Sequence, residues 1–195
     1  MDFLQRLVHA LPPVRQWIVT LHATHGPHGI RASESGFPML AQWFPPDLLE
    51  RARTVATPSM PFPPVSAYGI PEFEAMARMP MAGITWGHVY FVDPAQATAG
   101  VHSHELVHVV QWSTLGVDDF LLTYAVTLAL HGYEQSPLET VAFELQADVE
   151  SRTPVPAVVE MIERHAIGAR DEAKAVFRAQ GLRLHAEQEP AGPLR

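Results

Sequence analysis

His104-Glu105-Leu106-Val107-His108 is the stretch on which the reading of this chain turns. Its pattern, H-E-x-x-H, sets two imidazoles four residues apart, on one face of a helix and one turn from each other. A single metal ion can reach both. Glu105 lies about 100° round the helix from His104, close enough to act on a water beside the metal without binding the metal itself. The flanking sequence favours a helix. Thr98 to Leu115 contains no proline and carries Val101, Leu106, Val107, Val109, Val110 and Trp112, and Gly116 follows as a stop. Apolar residues surround most of this helix, so burial is expected. A lone buried His reads as a core imidazole. Two at this spacing with a Glu between them read as metal ligands.

Two histidines leave a catalytic zinc site incomplete, because it takes three protein ligands. The chain has no cysteine, so the third must be His, Asp or Glu. After His108 the sequence runs Val109-Val110-Gln111-Trp112, which rules out a third histidine in an H-x-x-G-x-x-H register. A Glu from a later helix remains. Ser136-Pro137-Leu138-Glu139 opens one, with Ser as N-cap and Pro in the first position. That helix offers Glu139 and Glu144, each with an alanine three residues on, where helices can approach closely. They stand about 140° apart, so only one can face the metal. Glu139 has a competing role as the capping-box Glu. Glu144 has Asp148 one turn on to hold a ligand imidazole, and the residues alone slightly favour Glu144.

The remaining pattern predicts an α+β, mainly helical domain with a small antiparallel sheet before the motif helix. Ile84–Val92 reads as a strand ended by Asp93-Pro94. Helices are expected over 117–131, from 137 to about 152, and over 156–181, the last as one helix or two broken near Gly168. Residues 2–24 read as helical with an interruption at Pro12-Pro13. His22, His25 and His28 then fall in a solvated loop. Residues 38–80 hold nine of the eighteen prolines. This predicts little regular structure beyond a short helix around 46–55, and a rigid connector or a lid over the core. The expected organisation is an N-terminal helix and Pro-rich extension (1–80) packed on a core (81–182), with a flexible tail (183–195).

Hydrophobic residues make up 47% and charged residues 17% of 195, enough for a proper core. Lys and Arg total 13, are scattered, and are outweighed to a net charge of −8, which leaves no nucleic-acid footprint. Met1 to Ala10 is a poor secretory signal, and Phe120–Leu130 is too short an apolar run to span a bilayer. The expectation is a protein without a membrane span, cytoplasmic or exported by a route other than Sec. Nothing in the sequence indicates an oligomeric state.

The stretch from His104 to Asp148 resembles the gluzincin-type zinc metallopeptidases, and among them the small bacterial minigluzincin-like domains of HELTHVVQ type. The residues that carry the resemblance are His104 to Gln111, Leu115-Gly116, Gly132-Tyr133, and Pro137-Leu138-Glu139 with Ala142. The resemblance implies a zincin-like core with one zinc ion and a zinc metalloendopeptidase acting on a peptide or protein. The first Glu of that group's P-x-E-x-E-A block corresponds to Glu139. The second corresponds to Val141, a departure. Glu144 to Asp148 instead resembles the E-x-x-x-D helix of thermolysin-like enzymes, so both glutamates stay candidates. In the expected reaction Glu105 is the general base, taking a proton from water and passing it to the leaving amine. Tyr133 or His131 is positioned in sequence to steady the oxyanion. Gln111 is expected to hydrogen-bond near the site, and His102 to lie on the far side of the helix. The alternative is a catalytically silent zincin-fold domain within a toxin or secretion assembly.

Overall fold

In a computed structural model, which describes residues 2–182, the chain opens with one unbroken helix, α1 (Phe3–His25). Asp2 and Gln5 close a capping box at its start. Pro12 and Pro13 do not interrupt it. Each proline removes one helical N–H, a loss of about 3 kcal/mol in an isolated helix. A continuous buried stripe of Leu4, Leu7, Ala10, Val14, Ile18 and Leu21 runs through the position and holds the helix together. His22 and His25 therefore belong to a helix rather than a loop.

A short strand β1 (Ile30–Arg31), the helix α2 (Pro46–Arg51) and the strand β2 (Arg53–Ala56) follow. The helix expected around 46–55 thus stops at Arg51, and the β-branched Thr54 and Val55 enter the sheet instead. A single turn of helix, α3 (Glu74–Ala77), precedes β3 (Gly83–Trp86) and β4 (Val89–Val92). The strand expected over 84–92 is a hairpin. Gly87 takes φ +69° between the paired Trp86 and Val89, the positive φ that a two-residue turn requires.

The sheet order is β1-β2-β4-β3. β1–β2 and β3–β4 are antiparallel, but β2 pairs parallel with β4. The sheet is therefore mixed, which corrects the expectation of a purely antiparallel one. The stretch from 57 to 82 is long enough for the crossover that a parallel pair needs. The sheet also crosses the boundary expected at residue 80, since β1 and β2 precede it.

The motif helix α4 (Ala99–Leu115) is capped by Thr98, whose side chain accepts from the Val101 N–H. It runs through the middle of the molecule, against β3 and β4 on one side and later helices on the other. Gly116, at φ +74°, ends it and starts α5 (Val117–His131). Ala99–His131 is long and apolar enough by composition to cross a membrane. In the fold it is divided at Gly116 into helices of 17 and 15 residues, each short of the roughly 20 residues a span needs.

α6 (Pro137–Ser151) and α7 (Val158–Ala179) complete the fold. α7 is not broken at Gly168, because its stripe of Val158, Ile162, Ala166, Ala169, Ala173 and Phe177 is buried along its whole length. The tail expected over 183–195 lies outside the described residues.

Candidate metal centre

α4 turns His104 and His108 towards the first turn of α6, and Glu139 meets them there. The three side chains are buried, and their nearest ligand atoms lie within 4.8 Å of one another. His104 Nε2 and His108 Nε2 are 3.1 Å apart. Glu139 Oε2 is 3.3 Å from the former, and Oε1 is 3.4 Å from the latter. Donors of a tetrahedral zinc at 2.0–2.1 Å stand roughly 3.3 Å apart. The donor set and its spacing therefore fit zinc. Glu139 Oε2 is also buried, with no hydrogen-bond partner among the described residues, as a carboxylate oxygen reserved for a cation would be.

The surrounding groups fix this arrangement. Gln111 Oε1 lies 2.8 Å from His108 Nδ1, and Gln111 Nε2 donates to the Leu138 carbonyl at 2.9 Å. Tyr124 donates to Glu139 Oε1 at 2.7 Å. Ser136 makes no side-chain cap to α6 and bonds Thr127 instead. Glu139, expected to close a capping box, faces the histidines.

Glu105 is buried on the β3 side of α4, where Thr85 Oγ1 donates to its Oε2 at 2.6 Å and to its own carbonyl at 3.2 Å. A Cβ on Gly83 would stand 2.5 Å from Glu105 Oε1, so only glycine leaves room for the carboxylate there.

Burial shapes the electrostatics. It pushes the Glu105 carboxyl up, and the neighbouring imidazoles and Thr85 only partly offset this. Burial also pushes His108 down, but the Glu139 carboxylate more than reverses it, to about 9. Glu139 is pushed up by burial and pulled further down by His108 and His104, ending well below the ordinary carboxylate range. Burial first, and the Glu139 charge second, raise both Tyr124 and Tyr133.

Of the two glutamates considered, Glu144 is exposed. It points away from the histidines because α6 is already turned by burial of Leu138, Val141, Ala142 and Leu145. Tyr133 reaches the same space as Glu139, and its ring meets Phe143 edge-on at 5.9 Å. His131 does not reach it and bonds Glu172 at 2.9 Å. His102 faces away, with Nδ1 2.9 Å from the Tyr90 hydroxyl. Tyr124 was not anticipated from the sequence. It sits one turn after Phe120 in an apolar helix and reads there as a core aromatic.

The cluster opens into a cavity of about 130 Å³. Its polar groups come from α4, α6 and β3, with Tyr124 of α5 and Tyr133 of the loop after it. Side chains of α1, of residues 62–81 and of α5 make the apolar remainder. No protein-family model, curated protein or solved structure matches this chain.

Proposed function

We propose that the protein is a zinc-dependent hydrolase of peptide or related amide bonds, with His104, His108 and Glu139 as ligands and Glu105 as general base. The observation that carries this reading is the convergence of three buried ligand atoms at tetrahedral spacing, with a buried carboxyl on the same helix bordering the same cavity. Zinc held by those atoms supplies a Lewis acid and lowers the pKa of adjacent water towards roughly 7. Glu105, held by Thr85, takes the proton as water adds to the carbonyl carbon. The C–N bond then breaks, the proton passes to the leaving nitrogen, and a carboxylate and an amine result. The Tyr133 hydroxyl, bordering the cavity beside Glu139, is the candidate hydrogen-bond donor to the oxyanion. Tyr124 is a positioning residue, since its hydroxyl holds Glu139.

The test is one preparation assayed twice, for zinc content and for hydrolysis of a peptide library. The wild type is expected to bind one zinc and to cleave. Glu105→Gln is expected to keep the zinc and lose cleavage by about 10²–10⁴-fold. Full zinc stoichiometry in His104→Ala would overturn the ligand assignment. The second reading, a zinc-binding domain without catalysis, draws on the cover that α1 and residues 62–81 form over the cavity. It predicts that wild type and Glu105→Gln bind zinc equally and that neither cleaves.

A further inference from the structure

We propose that the cavity beside His104, His108 and Glu139 is the binding site of a single aliphatic acyl chain. Resting on the hydrolase reading for the cleavage alone, this makes the substrate an amide whose carbonyl carries such a chain.

The size of the space limits the part of a ligand that it can enclose. A dry apolar cavity of about 150 Å³ takes up benzene, and this one measures about 130 Å³, room for an apolar group of about six carbons. A second space lies beside it. A surface groove runs between the start of α1, α3 and the end of α5, lined by Phe3, Ala75, Met79, Leu128 and Ala129, with Glu72, which pairs with Arg6, as its one charged residue. Phe73, Met76 and Tyr133 border both spaces and so form the partition between them. Phe73 and Met76 are only half-buried. Met76 is unbranched and can swing aside at small cost. A ligand can therefore extend from the histidines past this partition into the groove.

The chemistry of the walls selects the ligand class. Away from the polar end, the cavity is bounded by groups such as Leu7, Leu11 and Val14 of α1, Val65 and Ile70 of the Pro-rich segment, and Ala125 of α5. Of two indole N–H groups on the wall, that of Trp86 is taken by the Pro61 carbonyl, and that of Trp112 has no partner among the described residues. An extended peptide would bring one N–H and one C=O per residue into this space. The edge of β3 offers partners to some of them, but the walls made by α1, residues 62–81 and α5 are apolar, and each group left unpaired there is costly to bury. A polymethylene chain brings none, and its carbonyl head finds its partners at the one end that has them.

The experiment is calorimetric titration of the full chain, with and without zinc, using straight-chain carboxylates and the matching hydroxamates from acetyl to dodecanoyl. Affinity is expected to rise about three- to fourfold per CH₂ over the shorter members. Ala125→Phe, which fills the cavity, is expected to abolish that rise. Met76→Glu, at the half-buried partition, is expected to abolish it for the longer members, and supplies the test if the first variant fails to fold. Affinity independent of chain length, or a rise unchanged in a folded variant, overturns the proposal. If hydroxamates bind more tightly with zinc but show no dependence on length, the chain site is wrong and the metal site stands. If length matters and zinc gives hydroxamates no advantage, the metal reading fails and the chain site stands.

Discussion

Gln111 sets the tautomer of His108. Its Nε2 must donate to the Leu138 carbonyl, so its Oε1 accepts, and His108 Nδ1 carries the proton at 2.8 Å. In the neutral imidazole that a metal requires, His108 Nε2 is then the lone pair, at the space it shares with His104 and Glu139. Because Leu138 precedes Glu139, one amide ties the helix of two candidate ligands to the backbone of the third. Gln111→Leu is expected to weaken zinc binding by about 10–100-fold. It should also cost about 1–3 kcal/mol for each buried group left unpaired. Zinc competition titration and thermal unfolding measure the two effects.

Glu139 and Glu144 separate cleanly. Glu139→Ala is expected to lose stoichiometric zinc after dialysis, read by elemental analysis. Glu144→Ala, at an exposed position, is expected to keep it, with stability within about 0.5 kcal/mol of wild type. Retained zinc in Glu139→Ala would contradict the assignment.

Gly83 and Glu105 compete for one volume. Gly83→Ala puts a methyl group 2.5 Å from Glu105 Oε1, so the carboxylate must move. Hydrolysis is expected to fall by up to about 10²-fold while zinc content stays unchanged. Equal activity in the two proteins would show that the position of Glu105 is not limiting.

Zinc is expected to stabilise the fold by mass action, by about 4 kcal/mol at a thousandfold excess over Kd. Differential scanning fluorimetry with zinc and with EDTA measures it. In Glu139→Ala the difference between the two conditions should shrink or vanish.

His22 and His88 make the fold sensitive to acid. Burial holds both imidazoles below the ordinary value of 6.5, and the bond from His22 to the Trp86 carbonyl only partly offsets this for His22. The folded state therefore binds fewer protons than the unfolded one. Stability is full above pH 6.5 and falls as pH drops from there towards the lowered folded values. His22→Gln keeps a donor for the Trp86 carbonyl but cannot titrate, and should give a shallower decline of Tm below pH 6.5.

The local devices of this fold were legible in the residues. Thr98 and Gly116 bound α4, Gly132 ends α5, and the H-E-x-x-H spacing puts two imidazoles on one face. These depend on neighbours within a turn or two. Two of the readings that failed concerned distant partners. Pro12-Pro13 looked like a break because the burial that holds α1 together is not local. Residues 53–55 looked like the end of a helix because their sheet neighbour β4 lies more than thirty residues on.

The site divides in the same way. By itself the sequence determined that two histidines and a glutamate share one helix, and that any third metal ligand would be a His, Asp or Glu, since the chain has no cysteine. It could not choose between Glu139 and Glu144, because either angle round α6 is possible for an isolated helix. In the tertiary structure only Glu139 meets the histidines, because burial of Leu138, Ala142 and Leu145 against the core turns it inward and leaves Glu144 in water. It likewise recruited Tyr124, Thr85 and Gly83, whose roles come from what they meet across the cavity. Helix periodicity is a property of a few consecutive residues, whereas the rotation of one helix against another is set by the whole packed interior.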